Sequence, residues 1–94
     1  MTYVYILQSM REKRVLYIGM TSNLRQRMKA HNDGQTRTTH RYAPMKLVYY
    51  EAFMDAQDAL EREKTLKQFG ASYRNLLKRI QSSRLGVLTG GGAG

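Results

Sequence analysis

Cysteine is absent from this chain of 94 residues, and proline occurs once, at Pro44. The lack of cysteine excludes disulfide bonds, thiolate zinc sites and a cysteine nucleophile. No apolar run approaches the roughly 20 residues that a membrane-spanning helix needs. The first residues alternate as in a strand and lack the basic flank and cleavage site of a secretory signal. We therefore expect a cytoplasmic protein with no membrane partner.

Acidic residues are scarce. There are 16 Lys and Arg against 7 Asp and Glu, which gives a net charge of +9 and a pI near 10.2. The basic excess falls in residues 10–46 and 71–84. Such a charge favours a polyanionic partner, and nucleic acid is the commonest one. The alternative is a basic soluble protein whose charge serves no binding partner.

The length and the 41% hydrophobic content predict one small domain with a single core. Alternation, cap residues and glycine stops divide the chain into three strands and three helices. The predicted strands are residues 3–8, 15–19 and 46–54, and the predicted helices are residues 24–32, 56–69 and 72–80. The order β-β-α-β-α-α predicts an α+β fold over residues 1–83. Residues 84–94 are rich in glycine and are predicted to form a flexible tail.

Two polar side chains fall on the inward face of the first predicted helix. Leu24 and Met28 define its apolar stripe, His31 continues that stripe, and Arg27 lies four residues before His31. These groups are suited to holding a phosphate and moving a proton. The structural alternative is that His31 is a half-buried imidazole whose hydrogen bonds are satisfied.

A carboxylate interrupts the apolar stripe of the second predicted helix. Glu63 falls among Ala59, Leu60 and Leu66, where an unpaired charge costs several kcal/mol. It therefore pairs with a base such as Arg27, or it holds a metal ion. Together with inward-facing Arg27 and His31, its position favours a functional site.

Two of the seven tyrosines are distinguished by their pairing. A hairpin that turns near Glu12, with paired positions summing to about 22, predicts that Tyr5 and Tyr17 face each other on one side of the sheet. The other five are interpreted as packing, loop or DNA-contact residues. They are Tyr3, Tyr42, Tyr49, Tyr50 and Tyr73.

The motifs Tyr3-Val4-Tyr5 and Tyr17-Ile18-Gly19, one hairpin apart, resemble those of the GIY-YIG endonuclease superfamily. The similarity extends through residues 23–32, 47–51 and 59–64, and it is greatest to the small single-domain bacterial members. Tyr3 stands where glycine is usual, a variation that is common in those small members. The resemblance implies a three-stranded antiparallel sheet flanked by helices.

The resemblance also implies a divalent-metal phosphodiesterase acting on DNA. Tyr5 and Tyr17 match the tyrosines of the two motifs, Arg27 matches the helix arginine, and His31 matches a position that is His or Tyr in many relatives. Glu63 matches the single ligand of Mg²⁺ or Mn²⁺. Asn75 stands where many relatives carry an asparagine. The family serves in DNA repair, branched-DNA cutting, homing and restriction, usually with further domains attached.

In the chemistry that these groups allow, one phenol deprotonates the attacking water and His31 relays the proton. Arg27 stabilises the pentacovalent phosphate, and the metal on Glu63 stabilises the leaving oxygen. Tyr5 is the preferred base, with Tyr17 positioning the water or phosphate. Two alternatives stay open: a non-catalytic nucleic-acid-binding module, and a nuclease subunit that is active only with a protein partner. Single-stranded and branched DNA are both open as substrates.

Overall fold

A computed structural model describes residues 1–33 and 39–84. The strands are β1 (Thr2–Ser9), β2 (Leu16–Thr21) and β3 (Met45–Phe53), and the helices are α1 (Leu24–Asn32), α2 (Ala56–Gln68) and α3 (Gly70–Arg79). Two single-turn 3-10 helices span His40–Tyr42 and Gln81–Ser83. The order β-β-α-β-α-α confirms the predicted α+β fold. Most of the predicted glycine-rich tail, from residue 85 onwards, lies outside the described residues.

The three strands form one antiparallel sheet in the order β2-β1-β3, as the resemblance implied. Central strand β1 is fully buried over residues 4–9, since it has a neighbouring strand on each side and helices over both faces. In contrast, β2 and β3 are edge strands. A loop of residues 10–15 joins β1 to β2, and the Ser9 amide donates to the Val15 carbonyl at 3.0 Å.

The register of the hairpin differs from the predicted one by two residues. Tyr5 lies opposite Gly19, and Tyr17 lies opposite Leu7, so paired positions sum to 24. The loop is centred on Glu12, and a ladder centred there requires that sum. Tyr5 and Tyr17 therefore do not face each other directly. They still share one face of the sheet, because Gly19 and Tyr17 are two residues apart on the same strand.

Each face of the sheet is covered by its own helices. Apolar residues of α2 and α3 pack against alternate residues of β1 to form the larger core cluster: Val4, Ile6, Val48, Ala59, Leu66, Leu76 and Ile80. On the opposite face α1 contributes Leu24 and Met28, which pack against Tyr5, Leu7 and Met45. Tyr5 and Tyr17 thus lie on the face covered by α1.

Side-chain caps start two of the helices at the predicted places. The side chain of Asn23 accepts a hydrogen bond from the Gln26 amide, and that of Asp55 accepts one from the Gln57 amide. The third helix starts earlier than predicted, at Gly70 rather than Ser72. Phe69, in an extended conformation, is the break between α2 and α3, so Gly70 begins a helix instead of ending one. Every helix among the described residues is too short or too polar to cross a bilayer.

Candidate active site

Tyr5 and His31 form a buried hydrogen-bonded pair between the sheet and α1. Both side chains are completely buried, and the Tyr5 hydroxyl lies 3.1 Å from Nε2 of His31. On its other side, Nδ1 of His31 lies 2.6 Å from Oγ1 of Thr39, which is also buried. Both ring nitrogens are therefore satisfied, as burial of an imidazole requires. The result is a continuous chain from Tyr5 through His31 to Thr39.

His31 is held in its neutral form. Burial lowers the pKa of its imidazole, and the nearby Arg27 cation lowers it further. A neutral imidazole has one N–H donor and one acceptor nitrogen. If Thr39 accepts from Nδ1–H, then Nε2 accepts from the Tyr5 hydroxyl, and this arrangement matches the protonated state of that phenol.

Tyr17 completes a cluster of three rings. Its ring centroid lies 6.3 Å from that of Tyr5 and 5.2 Å from that of His31, at tilted angles typical of packed aromatic pairs. Tyr17 is only partly buried, whereas Tyr5 has no exposed surface. Of the two tyrosines, only Tyr17 has surface exposed to solvent.

The phenol of Tyr5 remains protonated at neutral pH. Burial raises its pKa to about 12, and the neighbouring Tyr17 also raises it. Arg27 acts in the opposite direction, through its charge and a hydrogen-bonding interaction, but does not overcome the burial. Arg27 is itself exposed at its position on α1. Arg27 thus lies near Tyr5, as predicted. Its side chain is more exposed to solvent than the predicted inward-facing position implied.

Glu63 is half-buried on α2, and its side chain is 18% exposed. Its partner is Lys67, one helical turn on, whose Nζ lies 3.4 Å from Oε2. Although α2 covers the opposite face of the sheet, the negative charge of Glu63 raises the pKa of Tyr5. The carboxylate therefore lies within electrostatic range of the phenol. α2 also contacts β2, the edge strand that carries Tyr17.

The metal-binding capacity of this site is that of a single carboxylate. Across residues 1–33 and 39–84, no group of three or more His, Asp or Glu side chains could hold an ion unaided. Mg²⁺ commonly keeps several waters and binds through one or two carboxylates together with substrate phosphates. The donor set at Glu63 fits such a hydrated ion and does not fit a cage made by protein alone.

A second charged network, which sequence reasoning missed, fixes α2 on the sheet. Arg62 binds Glu51 of β3 through two nitrogens, with Nη2 2.9 Å from Oε2 and Nε 2.9 Å from Oε1, and the Tyr49 hydroxyl donates to the same carboxylate. Burial raises the pKa of Glu51, but the bonds from Arg62 and Tyr49 outweigh it, so the pKa is lowered. Arg62 is the neighbour of Glu63 on α2, so this ion pair holds that part of the helix against β3.

The structure groups five predicted site residues through ring contacts, hydrogen bonds or electrostatic effects: Tyr5, Tyr17, Arg27, His31 and Glu63. Asn75 lines a shallow cleft elsewhere, together with Arg62, Ser72 and Arg79. Thr39 and Lys67 contact this group but were not predicted. Thr39 lies in a polar stretch without periodicity, so nothing in the sequence distinguished it. The i,i+4 spacing of Glu63 and Lys67 was a signal that could have been used.

Comparison with known proteins identifies a family and several relatives. Residues 1–76 match the model of the GIY-YIG catalytic domain. A UPF0213 protein of Clostridium perfringens is 45% identical over 69 residues, which cover 72% of each chain. One from Pediococcus acidilactici is 36% identical over 93% of this chain and 88% of its own, and one from Staphylococcus haemolyticus is 36% identical over 84% and 93%. No solved structure matches the chain.

Proposed function

This chain belongs to the GIY-YIG family, and we propose that it is a divalent-metal-dependent endonuclease that hydrolyses phosphodiester bonds in DNA. The observation that carries the proposal is the placement of opposite charges, Arg27 and Glu63, around the ring cluster of Tyr5, Tyr17 and His31. The net charge of +9 suits a phosphodiester substrate. We assign the catalytic unit to residues 1–83, most of which match the family model.

We propose Tyr17, rather than Tyr5, as the general base. Tyr5 is fully buried and its pKa is raised to about 12 by burial, so it is inaccessible to water and difficult to ionise. Tyr17 lies at the surface of the same cluster. The neighbouring Tyr17 also raises the pKa of Tyr5, which further favours the protonated form of Tyr5. Tyr17 thus takes the proton from the attacking water while Tyr5 stays protonated.

The buried chain of Tyr5, His31 and Thr39 positions this base. In the tautomer that carries its proton on Nδ1, His31 donates to Thr39 and accepts from the Tyr5 hydroxyl, which holds the neutral ring against Tyr17. A neutral ring leaves Arg27 as the positive charge next to the phenols. Burial of these groups excludes water from one side of the base.

Charge at the phosphate is handled by Arg27 and Glu63. The exposed guanidinium of Arg27 can donate to a phosphate oxygen and stabilise the charge that develops there. Glu63 would hold Mg²⁺ or Mn²⁺, which supplies positive charge at the leaving oxygen. Glu63 must exchange its ion pair with Lys67, whose own side chain is half-exposed, for this role.

The direct test incubates the protein with labelled single-stranded, duplex, nicked and branched DNA, and with RNA, in Mg²⁺, Mn²⁺ or EDTA. We expect metal-dependent cleavage of at least one DNA, abolished by EDTA and by Glu63→Gln. Binding should weaken as salt rises, with a log–log slope of about −0.7 to −0.9 per phosphate contacted. Salt-sensitive binding without cleavage in any metal would favour a non-catalytic binding module instead.

A further inference from the structure

A pair of tyrosines forms an aromatic surface beside the candidate active site. Tyr50 of β3 lies directly opposite Tyr5 of β1, and Tyr3 lies two residues before Tyr5 on the same face. The rings of Tyr3 and Tyr50 meet edge to face with centroids 5.9 Å apart. Tyr50 is 54% exposed, although α1 packs over Tyr5 and Leu7 on this same face. The Tyr3–Tyr50 surface is thus an open continuation of the buried site.

From this surface we infer that Tyr3 and Tyr50 stack against a nucleobase of the substrate, next to the phosphate that Arg27 contacts. The inference rests on the proposed nuclease function for the identity of that substrate. Exposed aromatic rings stack on any base, because every base has a flat π-face. A base within a duplex is already stacked on its neighbours, so the base bound here is unpaired.

Two features favour a nucleotide over another occupant. The first is continuity, since side chains directly opposite each other on paired strands lie about 5 Å apart. Tyr50 is therefore close enough to Tyr5 for one nucleotide to place its base on the surface and its phosphate at the site. The second is charge, because a chain of net charge +9, with Arg25 and Arg27 exposed on the adjoining helix, attracts a polyanion.

The test measures binding separately from cleavage. Protein carrying Glu63→Gln binds single-stranded oligonucleotides in which 2-aminopurine replaces one base at successive positions. We expect quenching of the fluorescence at one or two adjacent positions. Adding Tyr50→Ala should remove that quenching and weaken binding roughly tenfold, as expected for loss of one stacked base. Tyr50→Phe should keep both the quenching and the affinity of the protein with Tyr50, because the ring is sufficient for stacking.

The matched control is Phe69→Ala. Phe69 is 59% exposed, similar to Tyr50, but lies between the two helices that cover the opposite face. The Phe69→Ala change should leave the 2-aminopurine quenching and the affinity for the oligonucleotide unchanged. Equal effects of Tyr50→Ala and Phe69→Ala would overturn the inference. So would a Tyr50→Ala variant that changes the mass of the free protein by light scattering but binds DNA normally, since the surface would then join two copies.

Cleavage assays on the same variants, without the Glu63 change, separate this inference from the proposed function. If the native chain cuts DNA and Tyr50→Ala binds and cuts equally well, the nuclease assignment stands and the stacking role is wrong. If the native chain never cuts but quenching depends on Tyr50, stacking is supported and the nuclease assignment fails.

Discussion

The phenol of Tyr5 occupies the space in which a side chain on Gly19 would lie. A Cβ atom on Gly19 would overlap Cζ and Oη of Tyr5, and it would lie 3.0 Å from Cε2 of Tyr17. The two residues are direct partners across β1 and β2. The glycine of the second tyrosine motif is therefore required by the tyrosine of the first, and the two motifs form one structural unit.

Substitution of Gly19 tests this dependence. Gly19→Ala should displace the Tyr5 ring, which cannot yield easily because it is fully buried and bonded to His31. We expect a loss of about 1–3 kcal/mol in the free energy of unfolding, as for overpacking of a core, together with a large loss of cleavage. Urea denaturation and cleavage assays on one preparation give both quantities.

Gly70→Ala is the control for that substitution. At Gly70 the nearest atom to an added Cβ is Nη1 at the flexible end of Arg74, 3.1 Å away, and the residue begins α3. Alanine there should be neutral or stabilise the protein by up to about 1 kcal/mol. If Gly19→Ala were equally harmless, Tyr5 would not be held as tightly as its burial indicates.

The two tyrosines should differ in what their hydroxyl groups do. Tyr17→Phe should fold normally and lose about 10²- to 10⁴-fold in cleavage rate, as removal of a general base does. Tyr5→Phe leaves Nε2 of His31 without its partner, so it should lose about 1 kcal/mol of stability and less activity than Tyr17→Phe. Thermal melts compare the stability of the two variants, and single-turnover rates compare their activity. A greater loss of activity in Tyr5→Phe than in Tyr17→Phe would make Tyr5 the base.

Arg27 and Arg25 provide a comparison within one helix. Both are exposed, but they point about 200° apart around α1, and the charge of Arg27 acts on Tyr5 and His31. Arg27→Ala should reduce the cleavage rate on the order of 10²-fold or more, as loss of a transition-state donor does. Arg25→Ala should weaken DNA binding slightly at low salt and leave unchanged the rate at which the bound complex cleaves DNA. Equal effects would mean non-specific attraction.

Most of the fold could be predicted from the sequence because its signals are local. Alternation along β1, the caps Asn23 and Asp55, and the apolar stripe of α2 each act within a few residues. The predicted hairpin register was wrong by two residues although the turn near Glu12 was placed correctly, because a ladder centred there pairs positions that sum to 24 and not 22. A loop centred on Glu12 moves the partner of Tyr5 to Gly19, two residues from the predicted Tyr17.

The candidate site was predictable where an inward polar residue conflicted with an apolar stripe, as at His31 and Glu63. It was not predictable where the partner comes from irregular chain. Thr39 bonds to His31 across eight residues, through a loop whose sequence carries no period. The proposed roles of the two phenols also rest on the structure, because the different burial of Tyr5 and Tyr17 is not visible in the sequence.

Substitution of Glu63 should abolish metal-dependent cleavage, whereas substitution of its partner Lys67 should lower the metal concentration that cleavage needs. Glu63→Gln keeps the size of the side chain and should abolish cleavage while leaving DNA binding intact. Lys67→Ala frees the carboxylate from its i,i+4 pair. A helix pair of this spacing contributes about 0.3–0.5 kcal/mol, so roughly half as much Mg²⁺ should give half-maximal rate. Lys64→Ala on the same helix is the control. A Glu63→Gln variant that cuts normally would disprove the metal assignment.

The protein should become less stable as the pH is lowered, because His31 is buried as a neutral imidazole. Its pKa in the folded protein lies below the usual 6.5, because burial and then the Arg27 cation disfavour the imidazolium. The unfolded chain consequently binds a proton at this histidine more readily, so the free energy of unfolding decreases as the pH drops through and below 6.5. In His31→Gln this contribution is missing, and the melting temperature should change less between about pH 7.5 and pH 5.5. Identical slopes in the native chain and in His31→Gln would mean that His31 is free to take up a proton in the folded state.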